Sequence, residues 1–142
     1  MVAAQRSISP DVFSVDADGG TVTLRGGYSP SSDRYHFPRG EVCPYTGAAD
    51  IEPVELSHAA TLWGWTAVTA APPGYEGVVP YGFGVVELVH EQLRLITRIT
   101  EPDPAHLEFG QAMQLVGDRV ATDDDGTEVL VWAFAPAVGA AR

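Results

Sequence analysis

With 142 residues, 45% of them hydrophobic and 19% charged, and with 15 glycines and 11 prolines, the chain has the composition of one turn-rich globular domain that needs neither metal nor disulfide to build a core. All eight basic residues are arginine, and they face 19 carboxylates; the net charge of −11 repels phosphate backbones and anionic lipid and argues against nucleic-acid binding. The single cysteine excludes an internal disulfide and a four-cysteine zinc site, and no apolar run approaches the ~20 residues that cross a bilayer. No basic-then-apolar stretch opens the chain, so no signal peptide is expected and the cytoplasm is the expected location.

Residues 1–20 are polar and rich in Gly and Asp after a short "DVF", and they are predicted to form a flexible lead-in. "TVTLR" and "DRYHF" alternate around a Gly/Ser/Pro turn and predict a hairpin, closed by a second turn in "RGEVCPYTGAAD". Residues 21–54 thus make a knuckle of two turns, too small to carry its own core.

From residue 55 the pattern predicts five strands. They are "ELSHAATLWGWTAVTA", "YGFGVVELV", "LRLITRI", "MQLVGDRVAT" and "TEVLVWAFAP". In "LRLITRI", Leu93 and Leu95 face one way and Arg94 and Arg98 the other. The connections are the loop "APPGYEGVVP", a tight "HEQ" turn, the proline-bearing "TEPDPAHLEFGQA" with room for one helical turn, and the acidic turn "DDDG". A long first strand, a tight hairpin, a crossover and a final hairpin suit a five-stranded OB barrel over residues 55–136, with 137–142 as a tail. The glycines of "YGFG" allow the sharp bend that closure requires. The expected fold is all-β, a small ribbon-like knuckle followed by an OB barrel.

The stretch "GGYSPSSDRYHFPRGEVCPYTG" has the outline of a zinc ribbon, but Ser29, Ser32 and Thr46 stand where cysteines are needed and only Cys43 remains. Hydroxyls ligate zinc poorly at neutral pH, because an alkoxide is far harder to form than a thiolate. No zinc and no other cofactor is expected; hydrogen bonds from the hydroxyls to the backbone replace the metal. His36, His58, His90 and His106 are scattered and read as surface residues. Asp123, Asp124 and Asp125 lack the spacing of a calcium loop, and "GYEGVVPYG" has no lysine and no following helix. No set of residues suggests autonomous catalysis. Trp63, Trp65, Tyr81 and Phe83 fall on adjacent strands and read first as barrel core, second as an interface.

The order of parts, with Phe37-Pro38 and Cys43-Pro44 in "YSPSSDRYHFPRGEVCPYTG", "VPYGFGVVELVHEQLRLITRI" downstream, then "FGQAMQLV" and "VWAFAP", resembles the DUF35 family over residues 21–136. That family pairs a rubredoxin-like zinc ribbon with an OB fold, and the ribbon here is degenerate. The resemblance implies a non-catalytic accessory subunit that docks beside a thiolase-like catalytic subunit and shapes access for its acyl-CoA. The partner enzyme would be a lipid-transfer-protein type thiolase, a CoA-aldolase or an acyltransferase. Contacts with partner or acyl-CoA are expected at Phe37, Pro38, Tyr75, Pro80 and Tyr81, with Arg34 and Arg39 the candidates for a CoA phosphate. Alternatives from other classes are a stand-alone OB-fold protein that binds nucleic acid or another ligand, and a small β-barrel enzyme acting on a thioester.

Overall fold

The computed structural model describes residues 4–16 and 21–137. Its strands are β1 (Gln5–Ser7), β2 (Phe13–Val15), β3 (Val22–Ser29), β4 (Arg34–His36), β5 (Glu52–Glu55), β6 (Ala59–Val68), β7 (Tyr81–Leu88), β8 (Leu93–Ile99), β9 (Ala112–Thr122) and β10 (Glu128–Pro136). One 3-10 turn, Pro104–His106, occupies the proline-bearing connection, and the described residues contain no α-helix. The fold is all-β.

Five strands close a barrel in the order β10-β8-β7-β6-β9, with β9 returning to pair with β10. The β8–β10 pairing is parallel and short, through Arg98 and Ile99; every other pairing in the ring is antiparallel. Alternation explains the filling. On β8, Leu95, Thr97 and Ile99 point inward while Arg94 and Ile96 point out. Leu62, Val86, Leu88, Met113 and Phe134 complete the interior. The glycines of "YGFG" serve close approach as much as bending. A Cβ on Gly84 would collide with the carbonyl oxygen of Gly64, and one on Gly82 with that of Glu101.

Strand β3 is the centre of the smaller sheet. It pairs with β2, β4 and β5, all antiparallel, and the predicted hairpin appears as Gly27 opposite His36 and Ser29 opposite Arg34. The knuckle has no separate core. Phe13, Val22, Leu24 and Leu56 belong to the same buried cluster as the barrel residues.

Three expectations change. Gln5–Ser7 pairs in parallel with β10, and Phe13–Val15 pairs with β3, so these parts of the expected lead-in are strands, with Phe13 in the core. Strand β5 lies between the second expected turn and the first expected barrel strand, where the pattern predicts no separate strand; its residues face solvent on both sides except Val54, so no alternation marks it. A β-bulge between Leu62 and Gly64 divides the two tryptophans, both read first as barrel core, leaving Trp63 exposed while Trp65 packs against the core.

Phe134 fills the barrel centre, so Phe134→Ala is expected to lower the unfolding free energy by about 3–5 kcal/mol, read from urea denaturation. Gly84→Ala should also destabilise, because its neighbour is backbone that cannot swing aside.

Candidate functional site

The four degenerate ligand positions do converge. Asp50 anchors them: its carboxylate accepts from the Ser29 hydroxyl and from the Ser31 amide, each at 2.8 Å. Ser31 Oγ lies 3.0 Å from Thr46 Oγ1, the Ser32 hydroxyl donates to the Ser29 carbonyl, and Ser32 Oγ sits 3.6 Å from Cys43 Sγ. Cys43 itself is 1% exposed and accepts from the Tyr45 amide at 3.4 Å. Burial alone would push its thiol up. The hydroxyls of Ser29, Thr46 and Ser32 and the Tyr45 amide outweigh that and bring it down to about 6. This donor set does not fit zinc, since it offers one sulfur and three hydroxyls already engaged in hydrogen bonds. Among the described residues, no three of His, Cys, Asp and Glu group as metal ligands.

The larger feature lies outside the barrel. Tyr75, Tyr81, Phe83, Ile96, Thr97, Arg98, Val120, Val131 and Trp132, with Ile8 at one side, line an apolar groove of about 350 Å³. Arg98 organises it. Its Nε donates to Asp118 at 2.6 Å, its Nη2 donates to the Tyr75 hydroxyl at 3.0 Å, and its guanidinium lies 4.3 Å from the Tyr81 ring centre. Burial works against the charge on Arg98, but Asp118 and Tyr75 more than compensate and raise its pKa. The groove is built on β7, β8, β9 and β10 and on the loop after β6. In OB barrels the corresponding strands 2 and 3, with their loops, form the ligand-binding face.

The predicted contact residues separate into groups. Tyr75 and Tyr81 line the groove with rings 5.3 Å apart. Phe37 reaches the same neighbourhood, since its ring packs edge-on against Trp132 at 5.4 Å. Pro38 and Pro80 are exposed, and each follows a cis peptide bond. Arg34 lies apart, over the Tyr45 ring, in a small polar pocket with Tyr35, Glu91 and Gln92. Arg39 donates to the carbonyls of Gly26 at 2.7 Å and Val54 at 3.0 Å, so its guanidinium ties β3 to the end of the knuckle. Tyr75, in the loop "APPGYEGVVP", folds back onto its own barrel, where its hydroxyl also donates to the Val78 carbonyl. His36 is a further correction. It is buried rather than on the surface, and burial lowers its pKa.

Sequence reasoning missed Trp132, Ile96, Asp118 and Asp50 as site-forming residues. Ile96 carried a signal, an apolar residue at an outward position between Arg94 and Arg98. Asp50 carried none, because it lies 21 residues from the serine it holds.

The fold and the groove define an OB-barrel protein with an aromatic outer face. The family model described as the ChsH2 C-terminal OB-fold domain matches residues 53–118. Over 103 residues the chain is 27% identical to a DUF35 domain-containing scaffold protein of Pyrococcus furiosus, covering 72% of this chain and 75% of that one. A scaffold protein of the same description from Methanocaldococcus jannaschii is 28% identical over 103 residues, covering 71% and 72%. Among solved structures, a chain of an Ltp2-ChsH2(DUF35) aldolase superposes with a TM-score of 0.58 at 26% identity, covering 82% of this chain and 86% of that one. The barrel region thus matches a ChsH2 OB-fold model, and over most of its length the chain is similar to DUF35 proteins.

Two outcomes follow from the knuckle. Folding favours the Cys43 thiolate, so the unfolded chain binds more protons between pH about 6 and 9. The contribution of Cys43 to stability should therefore be full above pH about 9, shrink as pH falls through that window and be gone below about 6; Cys43→Ser should flatten the slope of urea midpoint against pH. Arg39→Ala should cost about 2 kcal/mol by losing two charged hydrogen bonds, while Arg34→Ala should stay within about 0.5 kcal/mol.

Proposed function

We propose that this chain is a non-catalytic accessory subunit of a thiolase-like complex. In that role it docks beside a catalytic subunit of the lipid-transfer-protein thiolase, CoA-aldolase or acyltransferase kind and shapes access for the acyl-CoA. The observation that carries this reading is the similarity, over most of the chain, to a chain of the Ltp2-ChsH2(DUF35) aldolase. The two archaeal relatives described as scaffold proteins point the same way. Chemistry belongs to the partner in this reading, and the barrel supplies a shaped surface. No helix among the described residues is long and apolar enough to cross a membrane, and the cytoplasm is the proposed place of assembly.

Residues 21–54 act as the knuckle unit and 55–136 as the barrel unit, and they meet the partner around Phe37, Pro38, Tyr75, Pro80 and Tyr81. The Phe37–Trp132 contact supports this choice, because it joins the knuckle to the groove that holds both tyrosines. Arg34 is the cation proposed for a CoA phosphate; Arg39 keeps the knuckle in place.

Co-expression with the thiolase-like enzyme of the same genome, followed by size-exclusion chromatography, tests the reading. A stable hetero-complex is expected, and a chain that elutes alone would sink it. Within the complex, Tyr81→Ala should weaken binding about 10-fold or more. Arg94→Ala should do less, since Arg94 is exposed and already paired with Glu87 at 3.2 Å. Equal effects would overturn the surface assignment.

A further inference from the structure

The groove is one end of a longer feature. On the outer face of the β7–β8 hairpin, Phe83 stands opposite Arg98, Val85 opposite Ile96 and Glu87 opposite Arg94. The Arg94 guanidinium lies 3.7 Å from the Trp63 ring centre, and Phe109 packs edge-on against Trp63 at 5.2 Å. The result is a continuous stripe from Tyr75 and Tyr81 through Phe83, Ile96 and Val85 to Trp63 and Phe109. It is exposed: Ile96 is 67% accessible, Phe109 63% and Phe83 39%. A contiguous apolar surface of this kind marks a site that another molecule covers.

Charge selects the occupant. Residues 56–136 hold eleven carboxylates against three arginines. Each of those arginines meets a carboxylate of this chain, Arg94 with Glu87, Arg98 with Asp118 and Arg119 with Glu128. The stripe therefore offers ring faces with internally neutralised cations. Beside its two ends stand Glu76 and Glu108, next to Tyr75 and Phe109, and neither meets an arginine among the described residues. Nucleic acid would find no uncompensated cation here. A second copy of this chain would bring a like charge of −11.

We infer that the outer face of the β7–β8 hairpin, from Tyr75 to Phe109, binds a partner polypeptide whose docking patch has an apolar centre ringed by lysine and arginine. This rests on the accessory-subunit reading and names the surface and the chemistry of the partner. It extends the contact beyond the groove and the knuckle to the opposite end of the hairpin. Apolar anchors set the dissociation rate, while the acidic flanks speed encounter.

The test measures binding of the full chain to the thiolase-like enzyme by surface plasmon resonance, with three single variants at exposed positions. Ile96→Asp and Phe109→Asp should each weaken binding about 30-fold or more, chiefly through faster dissociation. Val42→Asp on the knuckle should stay within about 3-fold, and urea midpoints should confirm that all three fold. Association of the unmutated chain should slow about 10-fold between 50 and 500 mM NaCl. Full-strength binding by Ile96→Asp and Phe109→Asp overturns the surface and leaves the accessory-subunit reading standing. Salt-independent association overturns the basic rim. Failure of the unmutated chain to bind overturns both, and a self-dimer that Ile96→Asp converts to monomer overturns the proposed occupant of the surface alone.

Discussion

Strand β10 closes the barrel, and the other parts take their places from that closure. It runs antiparallel along β9 from Glu128 to Pro136 and meets β8 in parallel through only two residues, Ala133 and Phe134. That short parallel contact converts an open meander into a ring, and β1 covers the start of β10, which β8 does not reach. It also carries Trp132 and Phe134, whose rings meet edge-on at 6.5 Å. Phe134 fills the interior, and the partly buried Trp132 packs against that core while lining the groove and meeting Phe37. A change that opened this seam would empty the core and dismantle the groove together.

The knuckle is held by hydrogen bonds. A carboxylate and a set of hydroxyls draw Ser29, Ser31 and Thr46 together around Asp50, with Ser32 bonded back to Ser29. Each such hydrogen bond contributes modestly beside a structural zinc. The barrel makes up the difference, because Val22, Leu24 and Leu56 bury into the common core and Arg39 braces β3 from behind. The knuckle is a rider on the barrel, and its stability is borrowed. Cys43 is buried inside that cage, where its sulfur accepts from the Tyr45 amide and lies 3.6 Å from Ser32 Oγ.

Pairing each barrel arginine with a carboxylate has a consequence for recognition. OB barrels that bind nucleic acid add a basic groove to their aromatic faces. Here the aromatic face is present, and the chain's own acids neutralise the cations on it. What remains suits protein surfaces, where aromatic side chains and arginine are enriched. The family resemblance and the surface electrostatics therefore lead to the same kind of partner from independent directions.

Local pattern alone was enough for the all-β class, the five barrel strands, the β3–β4 hairpin, and the one-turn crossover, because period-two alternation and turn residues leave a mark within ten residues of chain. It was also enough to show that Ser29, Ser32 and Thr46 offer hydroxyls and not thiolates beside Cys43, since that depends on residue chemistry and not on position. Tertiary structure decided what separated residues do to one another. Gln5–Ser7 and Phe13–Val15 became strands because β10 and β3 offered edges, not because their own sequence demanded it. The bulge after Leu62 divided the two tryptophans between solvent and core, and no alternation rule foresees an extra residue in one strand. Tyr75 turned inward because Arg98, 23 residues away, holds its hydroxyl, and Trp132 joined knuckle to barrel across nearly a hundred residues. Such contacts lie beyond local pattern because closing the barrel, and not the neighbouring sequence, brings their partners together.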